Sequence, residues 1–87
     1  MIQNTSAEAY NMIRNHLSEK QDAVYQVLEQ ALALTDEMIS RQLEWPINRV
    51  TPRRGELVKL GLVEVAFEAK TATGYKAKFW RIKTRRS

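Results

Sequence analysis

The sequence contains no cysteine and a single histidine, His16. A disulfide framework and a cysteine-based zinc site are therefore excluded, and one histidine alone cannot form a conventional structural zinc site. The chain also has no Ser/His/Asp set, no clustered pair of carboxylates and no glycine-rich phosphate-binding loop. We therefore expect neither an enzyme nor a metal or other cofactor.

Long apolar runs are missing as well. No stretch approaches the roughly 20 residues of a membrane span. The first residues, MIQNTSAEAYNMI, do not join a basic region to an apolar one, as a signal peptide does. We expect a cytoplasmic protein with no membrane partner. With 87 residues, the chain is expected to form one small domain.

Charges are divided unevenly along the chain. Residues 1–45 carry three Lys/Arg and seven Asp/Glu, whereas residues 46–87 carry eleven and three, for a net charge of +4. A basic half in so small a domain suggests one face that binds a polyanion. A solubilising surface is the alternative interpretation, and the two-ended division makes it the less favoured one.

Apolar residues at helical spacing predict four helices in the first 60 residues. The stretch AEAYNMIRNHL predicts an N-terminal helix within residues 1–17, which either packs on the rest of the domain or forms a homodimer contact. Ser18 and Gln21 have the spacing of a capping box and begin the second helix. The expected core residues of that helix are Val24, Val27, Leu28, Ala31 and Leu32.

A short extended link, Ala33-Leu34, leads to the third helix. Thr35 is its expected N-cap, because two acidic residues follow where the helix dipole favours them. The segment Glu44-Trp45-Pro46-Ile47 ends this helix, since proline disfavours helical geometry at the residue before it. The expected core residues of the third helix are Met38, Ile39 and Leu43.

The fourth helix is predicted over about residues 48–60. Gly61 follows it as the C′ residue, where a left-handed conformation is needed. Leu62 can then close over the last turn of the helix. The core side of this helix is expected to consist of Val50, Leu57 and Leu60.

Two residues of the fourth helix are unusual for a helix interior. If Asn48 is the N-cap, Pro52 costs one internal hydrogen bond, and if Thr51 is the N-cap, Pro52 occupies the favoured first position. Gly55 costs roughly 1 kcal/mol relative to alanine. The close approach of another helix or of a nucleic-acid backbone would explain this glycine, and so would plain tolerance.

Beyond the fourth helix the apolar period changes from 3.6 to 2. The stretches LVEVAF and KAKFWRI predict two strands, with Gly74 in the loop of the hairpin between them. Phe79 and Trp80 are adjacent and must face opposite sides, so one of them covers the core. On the first strand, the residues expected to share a face are Val63, Val65 and Phe67.

The stretches that carry a family resemblance follow this order of elements. TDEMISRQL resembles the first helix of a helix-turn-helix, VTPRRGEL followed by KLGLV resembles the recognition helix and its exit, and TGYKAKFW resembles a wing. Over about residues 20–82 the chain is similar to small winged helix-turn-helix proteins of bacteriophage and prophage genomes, and more distantly to MarR-like regulators.

The resemblance implies an α+β fold and DNA binding. The expected fold is a winged helix-turn-helix, with a three-helix core, a C-terminal β-hairpin wing and an extra N-terminal helix. The chain would comprise an N-terminal helical extension over residues 1–17, the winged helix-turn-helix domain over residues 18–82 and a basic tail over residues 83–87.

The fourth helix supplies the first group of candidate contacts. A helix fits the major groove, where arginine can bind guanine O6 and N7 with two hydrogen bonds. Arg49 and Arg53 are four residues apart and share a face, whereas Arg54 lies nearer the flank and suits a phosphate. A solvated surface is the alternative for one arginine alone, but three within six residues favour DNA. The candidate DNA-binding residues of this helix are Asn48, Arg49, Thr51, Pro52, Arg53 and Arg54.

The predicted hairpin supplies the second group. Hydroxyl and ammonium groups on a loop suit contacts to phosphates or to the minor groove. An ordinary polar hairpin loop is the alternative. The candidate DNA-binding residues here are Lys70, Thr71, Thr73, Tyr75, Lys76 and Lys78.

These observations together predict a protein whose partner is double-stranded DNA. The helix over about residues 48–60 would enter the major groove, and the wing, residues 67–78, would lie on the backbone or in the minor groove. A phage-type regulator of transcription or DNA metabolism is the expected role. The alternative is a winged-helix adaptor that binds proteins in a replication or regulatory complex without reading DNA, because folds are reused for different functions.

Overall fold

A computed structural model describes residues 14–83 of the chain. Three helices are followed by a two-stranded antiparallel hairpin, so the architecture is α+β, in an order compatible with a winged-helix layout. The predicted N-terminal helix lies mostly outside the described residues, as does most of the basic tail. The elements are a 3-10 turn (Arg14–His16), helices α1 (Glu19–Glu29), α2 (Asp36–Leu43) and α3 (Ile47–Lys59), and strands β1 (Val63–Lys70) and β2 (Lys76–Ile82).

Helix α1 begins with the predicted capping box. The Ser18 hydroxyl accepts a hydrogen bond from the Gln21 backbone N–H (3.0 Å), and the Gln21 side-chain oxygen accepts one from the Ser18 N–H (2.9 Å). Val24 and Leu28 are fully buried on its core side. Leu32 is 94% exposed, so its prediction as a core residue was wrong. Because α1 ends at Glu29, Leu32 no longer follows the helical phase of the buried residues.

Helix α2 has the predicted cap, since the Thr35 hydroxyl accepts a hydrogen bond from the Met38 N–H at 3.1 Å. Ile39 is fully buried, but Met38 is exposed, which corrects its prediction as a core residue. The helix ends at Glu44 in a left-handed conformation with φ of 58°. The Ser40 hydroxyl then donates a hydrogen bond to the Trp45 carbonyl, which holds the turn into α3.

Helix α3 begins earlier than either predicted start. Pro46 is its N-cap and makes no side-chain capping bond, so neither Asn48 nor Thr51 caps the helix. Pro46 has φ of −64° and extended ψ, which directs the chain into the helix at the following residue. Arg49 therefore belongs to the helix, and its N–H donates to the Pro46 carbonyl at 2.9 Å. Pro52 lies inside the helix and leaves one carbonyl of the preceding turn without an N–H partner.

The exit from α3 follows the prediction closely. Gly61 has φ of 81°, its N–H donates to the Val58 carbonyl, and the Leu62 N–H donates to the Leu57 carbonyl, both at 3.0 Å. This pair of bonds is a Schellman motif. Leu62 is fully buried after the turn, whereas Leu60 is about half exposed and was wrongly predicted to lie in the core.

The hairpin contains one irregularity that reverses part of the predicted strand pattern. Val65 pairs with Trp80, but Phe67 pairs with Phe79, so Ala66 is an extra residue in β1. A bulge of this kind moves the following side chains to the other face. Phe67 therefore stacks on Phe79, with ring centroids 4.6 Å apart, and does not share the buried face of Val63 as predicted.

Trp80 connects the hairpin to the helices. It is buried, so it is the core-covering member of the adjacent aromatic pair. Its backbone exchanges two hydrogen bonds with Leu34, at 2.9 and 2.8 Å, which confirms an extended link before α2. The buried hydrophobic residues are Val24, Tyr25, Leu28, Leu34, Ile39, Val50, Leu57, Leu62, Val63 and Trp80. Within residues 14–83, no helix is long and apolar enough to cross a membrane.

Candidate nucleic-acid interface

Helix α3 presents three stripes besides its core side, which holds the buried Val50 and Leu57. Residues of an α-helix that are three or four positions apart lie on one side. The stripe opposite the core, here called the outward stripe, consists of Asn48, Pro52, Gly55 and Lys59. The stripe towards α1, the α1 flank, consists of Arg49, Arg53, Glu56 and Leu60. The stripe towards α2 and the hairpin, the hairpin flank, consists of Ile47, Thr51, Arg54 and Val58.

The outward stripe is open to solvent. Asn48, Pro52 and Lys59 are exposed. A Cβ atom added at Gly55 would meet nothing within 4 Å. The packing of another described helix therefore does not explain Gly55, and the approach of an outside molecule and plain tolerance are the explanations that are left.

On the α1 flank, the Arg53 side chain is held by a hydrogen bond to a neighbouring carboxylate. Arg53 Nη2 donates to one oxygen of Glu56 at 3.0 Å, and Gln21 Nε2 donates to the other oxygen at 2.7 Å. Glu56 thus connects α3 to the first turn of α1 and orients the Arg53 guanidinium. The Nε atom of Arg53 is buried and has no hydrogen-bond partner among the described residues.

An open cleft of about 390 Å³ lies between this flank and α1, lined by Lys20, Asn48, Arg49, Pro52 and Arg53. Four of these residues are predicted DNA contacts. Lys20 was not among the predicted contacts, because its position next to α3 depends on tertiary packing. A sequence signal exists in retrospect, because Lys20 lies in the first turn after the Ser18 cap, where the first side chains of α1 are exposed.

On the hairpin flank, the charged side chain of Arg54 is bound by an acidic residue of α2. Arg54 Nε and Nη2 donate to the two carboxylate oxygens of Asp36, at 2.9 and 2.8 Å, and the Thr51 hydroxyl donates to Asp36 at 3.0 Å. The Arg54 guanidinium carbon lies 3.9 Å from the centre of the Trp80 ring, and the side chain is only 15% exposed. The structure thus separates Arg54 from Arg49 and Arg53, with which the sequence grouped it.

Two predicted hairpin residues come close to this flank. Thr71 and Lys78 line a groove with Ile47, Arg54 and Trp80, among other residues, whereas Lys70, Thr73, Tyr75 and Lys76 are exposed near the tip of the hairpin. Two of the predicted contacts, Lys70 in β1 and Lys76 in β2, lie directly opposite each other. The tip of the hairpin therefore carries two neighbouring positive charges. Like charges in opposite positions are unfavourable unless an anion lies nearby.

Three carboxylates at the start of α2 and along α3 are paired with arginines. Asp36 binds Arg54, Glu56 binds Arg53, and Glu37 binds Arg41 at 3.5 Å. Their pairing reduces the repulsion that a phosphate would otherwise meet at the start of α2 and along α3.

Among the described residues, no group of three or more acidic or histidine side chains is placed to hold a metal ion. No protein-family model matches the chain, and no curated protein matches it in sequence.

Proposed function

We propose that the protein is a winged helix-turn-helix module that binds double-stranded DNA. In this proposal α3 is the recognition helix in the major groove, and the hairpin is the wing, which lies on the backbone or in the minor groove. The observation that carries the proposal is the outward stripe of α3, which no described residue covers and which has the cations Arg49 and Arg53 along one edge. An α-helix about 10–12 Å in diameter fits a major groove about 12 Å wide.

Helix α3 also contains features that lower the stability of a helix. It has no side-chain N-cap, and Pro52 and Gly55 lie inside it. Each feature weakens the helix, and nothing described nearby offsets the effect at Gly55. Local departures of this kind are expected where a functional surface, rather than stability, determines the residue. Pro52 and Gly55 both lie on the outward stripe, the side of α3 that we assign to DNA.

The biological role rests on the family resemblance of the helix-turn-helix and wing stretches. We propose a phage-type regulator of transcription or DNA metabolism that acts in the cytoplasm. Arg54 is left out of the proposed contacts because two of its nitrogens are bound to Asp36 and its side chain is only 15% exposed. The contacts proposed in α3 are Asn48, Arg49, Thr51, Pro52 and Arg53, and those in the hairpin are Lys70, Thr71, Thr73, Tyr75, Lys76 and Lys78.

One observation favours the adaptor as a second candidate. An apolar groove between the end of α1 and the hairpin contains Tyr25, Leu28, Leu32 and Phe67, and no residue of α3 lines it. An exposed leucine beside an aromatic ring is a feature of protein-binding surfaces. A protein partner could occupy this groove without touching α3.

Selection from a random duplex library tests the proposed function. The full chain is immobilised, bound duplexes are amplified, and the enriched sequences are compared with those retained by an Asn48→Ala, Arg49→Ala, Arg53→Ala triple variant. We expect enrichment of a short motif by the native chain and its loss in the variant. If the native chain retains no duplex even at about 50 mM salt, where phosphate contacts are strong, the DNA proposal is wrong and the adaptor is favoured.

A further inference from the structure

The cleft beside α3 brings together three cations from two distant parts of the sequence. Lys20 comes from the first turn of α1, and Arg49 and Arg53 come from the α1 flank of α3. Within residues 14–83, the side chains of Lys20 and Arg49 make no hydrogen bond or ion pair, and only Arg53 is partly neutralised, by Glu56. The cleft therefore retains a surplus of positive charge.

The position of the cleft relative to the outward stripe determines what it would meet. A helix with its side chains nearly fills the width of the major groove, so the stripe opposite the core faces the base edges and the flanks face the two strands. Arg49 and Arg53 lie on the flank, in the cleft with Lys20, and Asn48 begins the outward stripe. The flank would thus meet a sugar-phosphate backbone.

The fixed geometry of Arg53 suits an anion. Its guanidinium is oriented by Glu56, which Gln21 holds from the other side. Only part of its set of five N–H donors is used in this pair. Because Nε is buried, the donors that an anion can reach are those of the terminal nitrogens. An arginine that is already oriented loses less conformational freedom when it binds a phosphate. Lys20 and Arg49 can then close on the same group from either side of the cleft.

We propose that Lys20, Arg49 and Arg53 form a binding site for a backbone phosphodiester of duplex DNA, and that Asn48 and the outward stripe read the bases. The assignment rests on the proposed function and changes the roles within it. Arg49 and Arg53 were predicted from the amino-acid sequence to bind guanine. In this assignment they provide affinity without a preference for any base sequence. Lys20 joins them as a contact from outside the helix-turn-helix.

The salt dependence of binding separates the two roles. Fluorescence anisotropy measures affinity at several salt concentrations for the selected duplex and for duplexes with single base-pair changes. The proteins are the native chain, Lys20→Ala, Arg49→Ala and Asn48→Ala, each checked for folding by circular dichroism. Arg81→Ala is the matched control, because it removes one positive charge from a hairpin residue that is paired with Glu64.

A phosphate contact contributes about 0.9 to the slope of log affinity against log salt. We expect Lys20→Ala and Arg49→Ala each to lower that slope by about 1 and to leave the order of preference among duplexes unchanged. Arg81→Ala should change neither quantity, and Asn48→Ala should change the preference.

Two results overturn the assignment while leaving DNA binding intact. One is a Lys20→Ala slope equal to that of the native chain. The other is an Arg49→Ala variant that loses base preference at an unchanged slope. If the native chain binds no duplex at low salt, the proposed function fails, and the assignment fails with it.

Discussion

Arg54 and Asp36 form a two-pronged ion pair, with nitrogen–oxygen distances of 2.9 and 2.8 Å, beneath which lies the ring of Trp80. The pair connects α3 to the start of α2, and the ring connects both to β2. Three elements thus meet at one guanidinium. This arrangement fixes the hairpin relative to α3, which a surface that spans both elements requires.

Replacing Arg54 with alanine should lower stability markedly. The change leaves a largely buried Asp36 carboxylate without its partner and removes the contact with Trp80. We expect a loss of about 2 kcal/mol in the free energy of unfolding, measured by urea denaturation, because hydrogen bonds to charged groups contribute about 1.5–3 kcal/mol. Arg54→Lys should recover only part of it, since lysine cannot form the two-pronged pair.

Arg41→Ala is the matched control for this prediction. Arg41 pairs with Glu37 on the same helix at 3.5 Å, and both side chains are mostly exposed. Exposed pairs of this type contribute about 0.3–0.5 kcal/mol. Equal losses for the Arg41 and Arg54 variants would show that the Arg54 pair does not connect the elements in solution.

Pro52→Ala tests where α3 begins. If the helix starts at Ile47, alanine restores a backbone hydrogen bond inside the helix and should stabilise the protein by about 1–3 kcal/mol. Thr51→Ala, measured beside it, should cost no more than the exposed hydrogen bond from its hydroxyl to Asp36, because Thr51 does not cap the helix. The opposite pattern, a costly Thr51→Ala and a neutral Pro52→Ala, would restore Thr51 as the N-cap.

Gly55→Ala separates stability from binding. A Cβ at this position meets nothing within 4 Å, so alanine should stabilise the helix by about 1 kcal/mol in urea denaturation. On duplex DNA the same methyl group should weaken binding, because it stands on the outward stripe. A variant that is more stable and binds duplex as tightly as the native chain would place the DNA elsewhere on the protein.

The hairpin tip should contribute to binding without contributing to the fold. Lys76→Ala removes one of two lysines that face each other across the hairpin, and both are exposed. We expect weaker binding to all duplexes alike, measured by anisotropy, together with a midpoint of thermal unfolding that is equal to or above that of the native chain. A change in base preference would show that the tip reads bases and not phosphates.

Local sequence signals predicted the starts of α1 and α2 and the end of α3. Ser18 with Gln21, Thr35, and Gly61 with Leu62 all behave as the capping rules require, because capping depends on neighbours within a few residues. The change of apolar period after α3 likewise predicted the hairpin. These predictions required no tertiary information, because each depends on residues that are close in sequence.

Features that depend on distant residues were not predictable in the same way. The bulge at Ala66 moves the Phe67 side chain to the other face of the hairpin, and no local sequence pattern predicts the bulge. Arg54 looks like a surface cation until Asp36 and Trp80 are placed beside it. The start of α3 was missed because Pro46 sets the chain direction without a side-chain cap, whereas both predicted starts relied on one.

The dependence of duplex binding on salt tests whether the protein binds DNA through its phosphates. Anisotropy of a labelled duplex carrying the selected motif is measured with the native chain over a series of salt concentrations. We expect tight binding at low salt and a linear fall of log affinity with log salt, at a slope that corresponds to several phosphate contacts. No binding at low salt, or an affinity that does not change with salt, would contradict this expectation.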